Sequence, residues 1–84
     1  MRWTMHELGV LHQIVKTVHR VMEQNKIQQI RHIALEVGTE SDFVPAYLKK
    51  LFPVATDAYP SLQKAELRIS MVQGTGLVIK EIGY

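Results

Sequence analysis

The chain has 84 residues, a formal net charge of +2 and no cysteine. A chain of this length has room for one small domain. Its apolar share of 46% and charged share of 21% are typical of a folded globular protein and not of a disordered one. The absence of cysteine excludes disulfides, thiolate zinc sites and a cysteine nucleophile. A bound metal would therefore need histidine, carboxylate, thioether or main-chain nitrogen ligands.

The sequence gives no indication of nucleic-acid or membrane binding. Its basic residues are scattered and do not cluster with aromatic residues, as they would in a protein that tracks a nucleic-acid groove. No apolar run approaches the ~20 residues of a membrane span. His6, Glu7 and His12 interrupt the N-terminal segment, where a secretory signal needs an apolar stretch. We therefore expect a cytoplasmic protein with no membrane or nucleic-acid partner.

The first predicted element is a long amphipathic helix over residues 5–24. Apolar residues recur there every three or four positions, as expected for a single buried helix face. They are Leu8, Leu11, Ile14, Val15, Val18, Val21 and Met22. Thr4 and Glu7 have the spacing of a capping box at the helix start, and Trp3 and Leu8 that of a hydrophobic staple. Asn25 is a candidate left-handed residue at the helix end.

A strand and a second helix are predicted next. Residues 30–37 alternate between apolar and polar, which is typical of a half-buried strand. Ser41 or Asp42 would cap the following helix, and Pro45 would lie in its first turn. Pro53 should kink or shorten that helix. The apolar side of the helix would carry Val44, Leu48, Leu51 and Phe52.

Two further strands are predicted at residues 65–72 and 77–82, joined by the glycine-rich turn Gln73–Gly76. Such close strands predict an antiparallel hairpin. The preceding strand-helix-strand order predicts a crossover unit, right-handed if its strands are parallel. The whole is expected to be a single α+β domain, a three-stranded mixed sheet with two helices packed on it. The core residues of the first of these two strands would be Leu67, Ile69 and Met71.

An ordered set of short motifs gives the chain a family resemblance. They are Met5-His6-Glu7-Leu8, Ile30-x-x-Ile33-x-Leu35-x-Val37-Gly38, Val44-Pro45 with Leu48 and Phe52, Ala65-x-Leu67-x-Ile69, and Gly76-Leu77-x-Ile79-Lys80-Glu81-Ile82. Spanning residues 5–82, the set resembles the HypA/HybF family of nickel-insertion proteins. The resemblance implies a nickel-binding accessory protein for hydrogenase, and for urease as a further recipient, that transfers metal and is not an enzyme. It implies a nickel-insertion GTPase and the hydrogenase large subunit as partners.

The sequence departs from the family pattern in two places. Family members carry a zinc ribbon of two Cys-x-x-Cys pairs between their last two strands, but here only the interval from Val72 to Gly76 remains. We expect no zinc, and a single domain over residues 1–84 in which residues 72–76 form a turn in place of the ribbon. The other departure is the N-terminal extension Met1–Thr4, which makes the nitrogen of Met5 a peptide nitrogen. If translation instead begins at Met5, its free amine is restored.

The resemblance also implies the metal site. His6 would be the primary Ni(II) ligand, and Glu7 and the main chain at Met5 would be secondary ligands. Imidazole is the commonest transition-metal ligand, and nitrogen donors suit Ni(II). Two alternatives remain open for these side chains: His6 as an ordinary exposed residue, and Glu7 as a helix cap. For the whole chain, the alternatives are a metal-free HypA-like adaptor or regulator, and an unrelated small ligand-binding or catalytic domain with a deep polar pocket.

The other histidines are poor candidates for a shared metal. His12 and His19 lie seven residues apart, about two helical turns, which is too far for one ion. His32 and Glu36 share a strand face but are about 13 Å apart by strand rise. Asp42 follows the first strand, where some family members place an acidic group, although a cap is the favoured role. An exposed edge strand and a small core would also allow a homodimer.

Overall fold

The computed structural model describes residues 2–84, and for residues 2–5 it describes the main chain alone. The predicted order of elements and the α+β class are confirmed. Within residues 2–84, no helix combines the length and hydrophobicity needed to traverse a bilayer. The elements are α1 (Arg2–Asn25), β1 (His32–Gly38), α2 (Pro45–Ala55), a short 3₁₀ helix (Pro60–Leu62), β2 (Glu66–Val72) and β3 (Leu77–Gly83).

Helix α1 begins earlier than its sequence signals predict. It starts at Arg2, so Thr4 lies inside the helix and not at its N-cap. The capping box predicted between Thr4 and Glu7 is therefore wrong. The predicted hydrophobic staple involves the side chain of Trp3, which lies outside the described residues.

The end of α1 is a Schellman motif. Its left-handed residue is Lys26, with φ 57°, and not Asn25 as predicted. The N–H of Ile27 donates to the carbonyl of Met22 at 2.9 Å, which is the closure that defines this motif. Asn25 instead uses its side-chain amide to donate to the carbonyl of Val21 at 2.9 Å. The helix thus ends with the carbonyls of Val21 and Met22 paired by donors from Asn25 and Ile27.

The core lies between the two helices and one face of the sheet. The predicted apolar stripe of α1 is confirmed, with Leu8 and Val21 half-buried and the rest buried. Each fully buried aliphatic side chain contributes about 1.5–3 kcal/mol. These contributions hold a domain of this size together. The buried residues that α1 and β1 contribute are Leu11, Ile14, Val15, Val18, Met22, Ile33, Leu35 and Val37.

Strand β1 is the centre of the sheet, whose order is β2-β1-β3. Strand β2 runs parallel to β1, so the predicted strand-helix-strand unit is confirmed. Strand β3 pairs antiparallel with β1, with Val37 opposite Leu77. The predicted hairpin between β2 and β3 is wrong, because each pairs with β1 and they form opposite edges. As the central strand beneath the helices, β1 buries Ile33, Leu35 and Val37 almost completely, each at 1% exposure or less.

The turn Gln73–Gly76 crosses the carboxyl end of β1 in order to join the two edges. The N–H of Gly38 donates to the carbonyl of Gly76 at 2.7 Å, and the N–H of Glu40 donates to that of Gly74 at 2.9 Å. A Cβ at position 38 would overlap the Gly74 carbonyl. Gly38 is therefore required by the close approach of two backbones.

The start of α2 differs from its prediction. Pro45 is the first helical residue, as expected, but the N-cap residue is Val44, which makes no side-chain capping hydrogen bond. The hydroxyl of Ser41 donates to the carbonyl of Gly38 at 2.8 Å, and Asp42 is exposed. The predictions that Ser41 or Asp42 caps α2 are therefore wrong. The prediction that Val44 belongs to the apolar side of α2 is also wrong, because its side chain is 39% exposed.

Two other predictions about packing have different outcomes. Helix α2 runs through Pro53 and ends two residues later, at Ala55, so the kink or shortening expected of this proline stays a prediction. Met71 was predicted to face the core but is 47% exposed. Exposure increases along β2 from buried Leu67 through half-buried Ile69. The helices therefore cover the beginning of this edge strand and leave its end open.

Candidate metal centre

His6 lies on the solvent side of α1, near its start. Its side chain is exposed, and its imidazole stacks on the ring of Phe43, with centroids 4.6 Å apart and planes 1° from parallel. Within the described residues, the ring makes no hydrogen bond or ion pair. A metal ion binds an imidazole nitrogen in the plane of the ring, whereas the stack occupies a ring face. The nitrogens of His6 are therefore available to a ligand from solvent.

Glu7, the next residue, is fully buried. Its Oε2 accepts a hydrogen bond from the N–H of Val44 at 2.9 Å. Val44 is the N-cap residue of α2, so Glu7 pairs with a main-chain N–H group that the second helix itself leaves unpaired at its start. The positive end of the α2 dipole favours an acidic group at this position. Glu7 is thus a cap, as one alternative held, but it caps α2 and not its own helix.

The other carboxyl oxygen of Glu7 has no partner. Among the described residues, Oε1 is buried and accepts no hydrogen bond. A buried acceptor without a donor costs about 1–3 kcal/mol. An unpartnered carboxyl oxygen is a suitable donor atom for a divalent cation. Glu7 therefore has one oxygen committed to α2 and one that is uncommitted.

The two candidate side chains point in different directions. Consecutive residues on a helix are about 100° apart around its axis, so His6 faces solvent while Glu7 faces the interior. Both nevertheless contact the same short segment, His6 at Phe43 and Glu7 at Val44. Met5 has its main chain inside α1, and its side chain lies outside the described residues.

The side chains that the structure describes do not preassemble a full ligand set. No three or more His, Asp or Glu residues among them lie close enough to hold one ion. A nickel site at the start of α1 must therefore draw on main-chain nitrogen, on water or on a carboxylate that moves.

The remaining histidines are dispersed. His12 is exposed on α1. His19 lies 3.8 Å from Glu23 and contacts the ring of Tyr59, with the two planes tilted by 49°. Glu36 pairs with the neighbouring strand β3, where its carboxylate lies 3.8 Å from the ammonium group of Lys80.

His32 is held at the far end of the sheet. Its Nε2 lies 2.8 Å from Oε2 of Glu81, and a Cβ at Gly83 would overlap the imidazole. The hydrogen bond to His32 lowers the pKa of Glu81, and the charge of His32 lowers it further. This pairing was not predicted, since Glu81 lies 49 positions away and no local pattern links the two residues.

Two of the surface cavities lined by described residues lie away from His6 and Glu7. One, at the end of the sheet, has a volume of about 450 Å³ and is lined by charged side chains, including paired Glu66 and Arg68. The other is an apolar groove of about 310 Å³ between α1 and β3. Both are open to solvent, so neither is the deep polar pocket that a small catalytic domain would need.

Comparison with known proteins identifies the family. The HypA family model, described as hydrogenase/urease nickel incorporation, metallochaperone, matches residues 5–79. The chain belongs to the HypA family. The solution structure of the Ni metallochaperone HypA from Helicobacter pylori is similar in fold, with a TM-score of 0.83, 11% identity, and coverage of 92% of this chain and 95% of that chain. No curated protein matches the chain significantly.

Membership in the HypA family confirms the predicted role. The protein is a nickel metallochaperone for hydrogenase or urease maturation, which is a delivery role. The family match begins at Met5, so His6 and Glu7 lie inside it and Met1–Thr4 precede it.

Proposed function

We propose that this HypA-family chain binds Ni(II) at the leading end of α1 and passes it to a nickel enzyme. His6 is the primary ligand, and Glu7 and the main chain at Met5 are secondary ligands. The observation that supports this is the exposed His6 imidazole, whose ring nitrogens have no partner among the described residues. The adjacent Glu7 likewise has one carboxyl oxygen without a partner among them.

Binding begins at His6 because it is the accessible ligand. Oε1 of Glu7 joins only when its side chain turns outward or the first turns of α1 open. The nitrogen of Met5 lies within the helix, since α1 starts at Arg2. Its use as a ligand requires the helix start to unwind and the amide to lose its proton. Helix ends fray readily, so unwinding α1 costs least free energy at its first turn.

An exposed primary ligand suits transfer, because a recipient's ligands can reach the ion before it leaves this chain. The proposed partners are a nickel-insertion GTPase and the hydrogenase large subunit, with urease as a further recipient, in the cytoplasm. Zinc has no part in the proposal, because the short turn Gln73–Gly76 follows β2 directly where the ribbon would be. A homodimer formed through an edge strand remains compatible with the proposal.

Nickel titration of the intact chain tests the proposal. We expect one ion per chain, and we expect His6→Ala to weaken binding about tenfold or more, which is roughly 1.4 kcal/mol. His12→Ala is the matched control, because His12 is exposed on the same helix and should leave affinity unchanged. No binding by the wild-type chain would favour the alternative, a metal-free adaptor.

A chain that begins at Met5 tests the main-chain ligand. Its terminal amine binds Ni(II) without losing an amide proton, so we expect tighter binding than in the full chain. The control is the same shortened chain with its amine acetylated, which should return to the affinity of the full chain. Equal affinity in all three would show that the nitrogen of Met5 is not a ligand.

A further inference from the structure

Phe43 lies in the segment that joins β1 to α2 and packs against the core, where it is half-buried. Its outer face carries the imidazole of His6, with centroids 4.6 Å apart and planes 1° from parallel. An exposed histidine on a helix normally exchanges among rotamers. A face-to-face contact with a ring anchored in the core restricts that exchange.

We propose that Phe43 is a positioning residue of the nickel site. Its ring holds the His6 imidazole in one orientation, so that the imidazole nitrogens face the incoming ion. This inference rests on the proposed function. The stack uses the ring face, and coordination uses lone pairs in the ring plane, so the two interactions do not compete. Fixing a ligand in its bound orientation before binding raises affinity by reducing the entropy lost on binding.

The position of Phe43 is itself fixed. Its N–H donates to the hydroxyl of Ser41 at 3.3 Å, and that hydroxyl donates to the carbonyl of Gly38. The next residue, Val44, donates to Glu7. Two consecutive residues of α1 therefore meet two consecutive residues before α2, by a ring stack and by a hydrogen bond.

Among the side chains that the structure describes, a second histidine also contacts an aromatic ring, with a different geometry. His19 and Tyr59 have centroids 4.8 Å apart, but their planes are tilted by 49°. His19 also lies beside Glu23. Parallel stacking is therefore not a general feature of the histidines here, and Tyr59 offers a matched control.

The test begins without metal. The ring current of Phe43 should move the His6 ring-proton NMR signals upfield. We expect Phe43→Leu to return them toward random-coil values and Phe43→Tyr to retain the wild-type shifts. Tyr59→Leu should leave His6 unaffected. With Ni(II) added, Phe43→Leu should weaken binding by about 2–12-fold, as expected for one immobilised side chain, and Phe43→Tyr should restore it.

Unchanged His6 shifts in Phe43→Leu would overturn the inference, and so would altered shifts with unchanged nickel affinity. Phe43→Met provides a second flexible, non-aromatic replacement if the amide spectrum shows that the leucine variant is unfolded. Failure of the wild-type chain to bind nickel would overturn the proposed function and with it the nickel role of Phe43. Wild-type binding that is insensitive to Phe43 would overturn the inference alone.

Discussion

Glu7 is the side chain that joins the starts of the two helices. It comes from α1, is fully buried and accepts the N–H of Val44. Sequence reasoning predicted an acidic residue with a capping role here but assigned it to the wrong helix. The reason is the separation of 37 positions between donor and acceptor. Capping patterns are local, and a cap supplied by another helix leaves no signal near the helix it caps.

Removing Glu7 should destabilise the fold. In Glu7→Ala the N–H of Val44 loses its acceptor, so we expect the free energy of unfolding to fall by about 1–3 kcal/mol in urea denaturation. Glu7→Gln keeps a carbonyl oxygen at the same place and should lose less. The control is Glu23→Ala, whose glutamate side chain is 70% exposed. Equal losses for Glu7→Ala and Glu23→Ala would contradict the assigned role.

The pairing of Glu81 with His32 should make the free energy of unfolding depend on pH in the acidic range. Its hydrogen bond with His32 lowers its folded pKa below the ordinary value of 4.5. The stabilisation is therefore fully present well above pH 4.5 and is lost as the pH falls through the lowered pKa. Urea midpoints measured at decreasing pH should fall less steeply in Glu81→Gln than in the wild-type chain. His32→Ala should flatten the profile in the same way. A profile for Glu81→Gln as steep as that of the wild type would refute this.

At the scale of elements, the sequence predicted the positions of helices and strands better than it predicted which strands pair. The periodicity of residues 5–24 and the alternation of residues 30–37 correspond to α1 and β1, within a few residues at each end. The hairpin prediction was wrong because it rested on the short distance between the two strands along the chain. Which strands pair is decided by the whole sheet, in which β1 pairs on both sides. Nothing local to Gln73–Gly76 shows that it passes over another strand.

Gly38 and Gly76 provide a test of this topology. Gly38→Ala should lower the free energy of unfolding by about 1–3 kcal/mol, the usual cost of forcing atoms into filled space, because its Cβ would overlap the carbonyl of Gly74. Gly76→Ala is the control, since a Cβ there meets nothing within 4 Å. Thermal unfolding of both variants decides the point. A hairpin between β2 and β3 would leave room at Gly38 and make the variants equivalent.

For the whole molecule, the family resemblance located the start of α1 and the motif Val44-Pro45, but not the contact between the two. The exposed position of His6 agrees with its proposed role as primary ligand. Phe43 was not singled out, because an aromatic residue before a helix is ordinarily core. The contact with His6 appears only when α1 and the segment before α2 are brought together. The candidate site is thus formed by two segments, and in the second of them the family motif includes Val44 but not Phe43.

The most direct measurement compares all four histidines during nickel binding. NMR of the intact chain, with Ni(II) added below one equivalent, follows the ring signals of His6, His12, His19 and His32 in one experiment. We predict that His6 broadens or shifts first, together with the amides of Phe43 and Val44, while the other three rings respond only to excess metal. An initial response at His32 or His12, with His6 unchanged, would contradict the claim that the leading end of α1 carries the nickel.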